Sequence, residues 1–211
     1  MRVVQGLPAG SGLLGLAAAT LFIEPAAAHH VMGNQLPATL LQGLLSGLGH
    51  PVIGLDHFAA LIAVGCIAAA QPRGAMLPLG FVLAMILGTA VHITEATIPA
   101  GEILVALSVI VLGIVMLRTP PVSRIAALGL FALAGFFHGY ALGESIVGAE
   151  PAPLYAYLAG LAIIQSVIAL AAMTVTRWLL ARPSFEPVRL RLAGAGIAGF
   201  GFALLAQQLG A

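Results

Sequence analysis

Residues 153–177 read PLYAYLAGLAIIQSVIALAAMTVTR, and 24 residues pass before the first formal charge, Arg177. As a helix rising 1.5 Å per residue, those 24 residues reach about 36 Å, more than the ~30 Å hydrocarbon core of a bilayer. A core helix of a soluble domain carries a polar stripe toward water, and this stretch has none. It reads as a membrane crossing. Shorter runs of the same kind lie near 53–70, 75–94, 101–117, 124–143 and 190–208, which makes six.

The whole composition agrees. Hydrophobic residues make up 61% and charged residues 7% of the 211, where a soluble domain carries about a quarter charged. Fifteen formal charges cannot clothe a chain of this size in water, so lipid is the solvent for most of it. Lysine is absent, and no basic cluster suggests nucleic acid. No Gly-x4-Gly-Lys-Ser/Thr string is present, so no nucleotide partner is expected. Cys66 is the single cysteine, inside an apolar run, and reads as a packing residue. Prolines at 72, 99, 120, 121, 151, 153, 183 and 187 punctuate the helix ends.

Residues 1–28 have the form of a cleavable signal peptide: Arg2, an apolar stretch from Leu13 to Ile23, and Ala26-Ala27-Ala28 before the cut. Residues 29–211 would then form one transmembrane helical domain beginning with His29-His30. Alternate breaks carry all seven remaining arginines: Arg73, then Arg118 and Arg124, then Arg177, Arg182, Arg189 and Arg191. The breaks around 95–101 and 144–153 carry none. Positive charge marks the cytoplasmic side, so both mature ends are expected in the periplasm, in the inner membrane of the cell. Residues 36–49 are apolar but short and are broken by Gly47, Gly49 and Pro51. They are expected to form a re-entrant or interfacial half-helix, packed against protein or a wet cavity. The fold class is therefore an all-α membrane protein, a six-helix bundle with one added half-helix.

Polar side chains are rare enough in this background to be informative. His50, Asp56 and His57 cluster at the outer start of the first span. His92 and Glu95 close the second, His138 and Glu144 lie at the outer end of the fourth, and His29-His30 open the mature chain. An ionised group inside a bilayer costs roughly 2.5–3.5 kcal/mol on insertion scales, so a retained cluster marks function. Imidazoles with carboxylates suit a divalent Ni, Co, Zn or Mn ion. The candidate metal-binding residues are His29, His30, His50, Asp56, His57, His92, His138 and Glu144. For passage to the inner side only Thr89, Ser108, Ser166, Gln165 and backbone carbonyls offer themselves. Two other chemistries use similar groups. A histidine-held zinc could activate water for intramembrane hydrolysis, although no His-Glu-x-x-His string occurs. Paired histidines could also hold a haem, although the chain is only 6% aromatic.

His50-Pro-Val-Ile-Gly-Leu-Asp56-His57, followed by Phe58-Ala-Ala-Leu-Ile-Ala-Val-Gly65, resembles the first signature of the HupE/UreJ family, a histidine, five residues, then Asp-His. The second signature of that family, Phe-His-Gly-x-Ala-His-Gly-x-Glu, is partly matched by Phe137-His138-Gly139-Tyr140-Ala141-Leu142-Gly143-Glu144-Ser145. Leu142 stands where the family has its second histidine, and the acid comes one residue early, at Glu144. The resemblance implies a small permease supplying nickel, or in some members cobalt, with the ion as transported substrate and no permanent cofactor. It does not imply an enzyme. An oxygen from Glu144 or Ser145 in place of the missing imidazole would suit cobalt or a changed coordination number.

Overall fold

The apolar runs become helices because a backbone in hydrocarbon must satisfy its own hydrogen bonds. The computed structural model describes residues 35–119 and 121–210. Its helices are α1 Leu40–Ile53, α2 Leu55–Ala69, α3 Met76–Ile93, α4 Gly101–Leu117, α5 Arg124–Gly143, α6 Pro151–Leu180 and α7 Val188–Gln208, with a 3-10 turn at Glu144–Ile146. No strand occurs among the described residues. Four helices are long and apolar enough to cross a membrane, namely α3, α5 with its 3-10 turn, α6 and α7. The bent pair α1/α2 passes the same test only when its two helices are taken together, giving four or five candidate spans, and α4 is a shorter apolar helix of 17 residues. The molecule is a multi-pass membrane protein. The signal-peptide expectation, with His29 and His30, lies outside the described residues.

Ordinary local chemistry sets the ends. Thr39 and Ser123 accept hydrogen bonds from Gln42 N and Ala126 N, capping α1 and α5. Pro151 opens α6, where a missing N–H costs nothing. Outward faces carry Leu83, Leu133, Ile163, Val167, Leu192 and Phe202, all exposed to what must be lipid.

The break near the start differs from the expectation at 47–51. Helix α1 continues through Pro51 to Ile53, and the chain turns at Gly54, with a 76° bend between α1 and α2. Packing decides this. Gly43 and Gly47 press against the α6 backbone at Pro153 and Tyr157, a contact that needs an intact helix on both sides. Further along, Gly65 abuts Ala169, Cys66 Sγ lies 3.3 Å from Thr176 Oγ1, and Arg177 bonds the carbonyls of Ala69 and Gln71. Contacts therefore climb α6 in one direction, first from α1 and then from α2. The pair accompanies α6 as two helices bent at Gly54, a broken span or a re-entrant segment, where the sequence suggested a half-helix over 36–49.

Elsewhere α3 and α5 run side by side in the same sense. Gly135 and Gly139 of α5 meet the carbonyls of Phe81 and Met85, and Gly88 of α3 meets that of Phe136. Helices α4 and α7 pair in opposite senses, through Gly113 against Gly194 and Gly201 against Ile110. With few polar groups to bond helices together, close backbone approach supplies the attraction by dispersion.

Candidate metal centre

The turn at Gly54 determines where the first signature goes. It ends α1 just after His50 and starts α2 with Asp56 and His57 in the first turn, all three buried inside the bundle. From α5 comes His138, five residues before the helix ends and 1% exposed. One ligand atom from each of Asp56, His57 and His138 lies within 4.8 Å of the others. Among the described residues this is the one group of three or more such side chains that could hold a metal ion.

His57 Nδ1 and His138 Nδ1 are 2.7 Å apart, a hydrogen bond that needs one proton between them. The Ser108 hydroxyl donates to Val105 O at 2.8 Å and approaches His138 Nε2 at 2.9 Å. With its proton used, Ser108 Oγ accepts from His138 Nε2–H, which leaves the lone pair of a neutral His138 on Nδ1. His57 then donates from its Nδ1. Its Nε2 faces Asp56 Oδ2 at 3.7 Å.

His50 is oriented by hydroxyls. Its Nδ1 lies 3.2 Å from Ser145 Oγ and 3.1 Å from Tyr157 OH, and those two oxygens are 3.0 Å apart. Both hydroxyls donate to the carbonyl of Leu142, at 3.1 and 2.8 Å, a group left over at the end of α5. Their protons being used, His50 Nδ1 is the donor, and Nε2 carries the ring's lone pair. The ring edge-packs on His57 with centroids 5.9 Å apart.

The structure thus gathers His50, Asp56, His57 and His138. It does not gather His92 or Glu144. His92 is half-buried beside Tyr140, ring centroids 4.3 Å apart, and its buried Nδ1 has no hydrogen-bond partner. Glu144 is exposed at the start of the 3-10 turn. Sequence reasoning passed over Tyr157, one tyrosine in an apolar run, and placed Ser108 on the inner path when it is the partner of His138. A phenol near the start of a long apolar span was the available signal, since a buried tyrosine hydroxyl usually has a partner.

The two sequence stretches that meet here lie within a region that matches a known family. The HupE / UreJ protein family model matches residues 17–204. The chain belongs to the HupE/UreJ family. It is 30% identical over 165 residues to Protein HupE of Rhizobium leguminosarum bv. viciae, covering 77% of this chain and 84% of that one. No solved structure matches it. Within this HupE/UreJ chain the first signature supplies His50, Asp56 and His57, and the second supplies His138 and Ser145. Ser145 occupies the position of the family's glutamate and touches His50, while Leu142, in place of the second histidine, contributes only its backbone carbonyl to the site.

Proposed function

We propose that this protein is a permease that takes up a divalent transition metal, nickel or cobalt, from the periplasmic side of the inner membrane. The observation that carries this reading is the convergence of Asp56, His57 and His138 from two separate helices at the break of a discontinuous crossing. Broken helices in transporters place coordinating groups inside the membrane, where an unbroken ladder would offer only side chains. A nitrogen-rich set with one carboxylate and no thiolate suits Ni²⁺ or Co²⁺ as a passing substrate.

The fit is close but not yet wide enough. Metal–nitrogen bonds of about 2.1 Å at right angles set two nitrogens about 3.0 Å apart, so His57 and His138 part by a few tenths of an ångström from their 2.7 Å separation. The cation replaces the shared proton. His57 then carries its proton on Nε2, on the side of Asp56, whose carboxylate orients the ring and offsets the ion's charge. His50 supplies a further nitrogen through Nε2, and His29-His30 raise the local metal concentration at the entrance.

In this reading the bundle has six crossings: the α1/α2 pair, α3, α4, α5, α6 and α7. The 17 residues of α4 lie at the short end of the roughly 17–25 that suffice. The seven arginines face the cytoplasm, residues 1–28 are removed, and both mature ends lie in the periplasm. A potential of 100 mV, negative inside, favours entry of a divalent ion by about 4.6 kcal/mol, twice the single-charge value. No nucleotide is then required. The hydrolase alternative gains no support from the family.

Uptake of labelled nickel and cobalt by cells tests this, with His57→Ala and Asp56→Ala present at wild-type levels in the membrane. Uptake is expected to fall to background in both. Normal accumulation in both variants removes the site from any transport role.

A further inference from the structure

Inward of the histidines the bundle interior is almost wholly apolar, and one group there does not fit a packing role. Gln165 of α6 is 1% exposed, and its Oε1 has no hydrogen-bond partner. Its amide nitrogen is spent on the Met85 thioether, Nε2 to Sδ 3.4 Å, a weak acceptor that pins the amide and leaves the carbonyl oxygen on the other side. Thr89 Oγ1 lies 3.9 Å from the same sulfur and donates to Gly139 O, the neighbour of His138. A buried amide oxygen without a donor carries its full desolvation cost, and a leucine of similar volume would avoid it. A group kept at that cost calls for an explanation other than stability.

Its depth supplies one. Gly65 of α2 abuts the α6 backbone at Ala169, and the two helices run in the same sense. His57 lies eight residues before Gly65, about 12 Å, and Gln165 four residues before Ala169, about 6 Å. Gln165 is therefore about one helical turn beyond His57, on the side of the arginine-bearing ends.

We infer that Gln165 Oε1, held in place by the bond from its amide nitrogen to Met85, is a second and weaker stop for the divalent cation on its way inward. A single amide oxygen binds such an ion far less strongly than imidazoles and a carboxylate. That is what a transit site needs, since an ion must be able to leave it. The inference rests on the permease reading and adds the step that the histidine cluster leaves open.

Gln165→Leu in the full chain is the test, read by three measurements: Co²⁺ uptake in cells, equilibrium Co²⁺ binding to the purified protein in detergent, and thermal unfolding of that protein. Uptake is expected to fall about tenfold, the loss of one ligand's contribution to the barrier. Binding stays within about twofold because the histidine site is intact, and the melting temperature rises by about 2 °C or more as the unpaired oxygen is removed. Gln165→Ile, which fills the space without any donor atom, should repeat the result and serves if the leucine variant does not accumulate. Wild-type uptake in either variant overturns the inner stop, as does binding lost in parallel with uptake. His57→Ala separates the two readings. If it abolishes binding and uptake while Gln165→Leu transports normally, only the inner stop fails; if it binds and transports normally, the histidine site fails as well.

Discussion

Replacing Tyr157 with phenylalanine removes one oxygen and leaves a fully buried ring in place, so its consequences can be counted bond by bond. The hydroxyl donates to Leu142 O at 2.8 Å, accepts from His50 Nδ1 at 3.1 Å and lies 3.0 Å from Ser145 Oγ. After the change Leu142 O still accepts from Ser145, and His50 Nδ1 still has Ser145 Oγ at 3.2 Å. No buried group is orphaned, so the loss is that of about two net hydrogen bonds, roughly 1–3 kcal/mol of stability. The effect on function comes through His50. Removing an outer partner of a metal-ligating histidine typically weakens metal binding 10–100-fold, and with one acceptor left the lower end, about tenfold, applies. The assay is the concentration dependence of Ni²⁺ or Co²⁺ uptake at matched protein levels. Half-saturation should move up about tenfold while the maximal rate holds, and Tyr157→Phe with Ser145→Ala should move it further than either alone. Half-saturation unchanged in both single variants would refute the assignment of His50 Nδ1 as a donor held by these hydroxyls.

The remaining expectations concern residues whose sequence reading and position differ. Glu144→Gln should alter uptake by less than about twofold, since an exposed side chain away from the cluster behaves as a surface group; a loss as complete as that of Asp56→Ala would bring this carboxylate back into the ion's path. Gly139→Ala drives a Cβ into the Met85 carbonyl, and overpacking of this kind costs about 1–3 kcal/mol. Gly129→Ala, where a Cβ meets nothing within 4 Å, should be neutral or slightly stabilising. Equal melting temperatures for these two alanine variants would contradict the close α3/α5 contact.

Much of the architecture was legible because lipid imposes a simple rule on sequence. Among the described residues every apolar run became a helix within a few residues of its expected bounds, and 101–117 and 124–143 matched without change. The charge pattern and the family signatures likewise belong to the linear chain, and His50, Asp56 and His57 could be singled out from spacing alone. The break was misplaced because proline and glycine signals describe local preference only. The packing of Gly43 and Gly47 against α6 holds α1 helical through Pro51 and moves the turn to Gly54.

Composition and hydropathy by themselves determined a membrane-spanning helical chain, since burying so few charges among so many apolar residues leaves no other solvent. Which polar residues act together was decided in three dimensions. His57 and His138, 81 residues apart, share a hydrogen bond, while His92 and Glu144 fall outside the cluster. Ser108, Ser145 and Tyr157 became partners of the histidines only once α4, the end of α5 and α6 were packed around them. The physical reason is that a hydrogen bond or a coordination bond is fixed to a few tenths of an ångström. Helix periodicity sets a side chain's face and depth, but it says nothing about which neighbouring helix that face will meet.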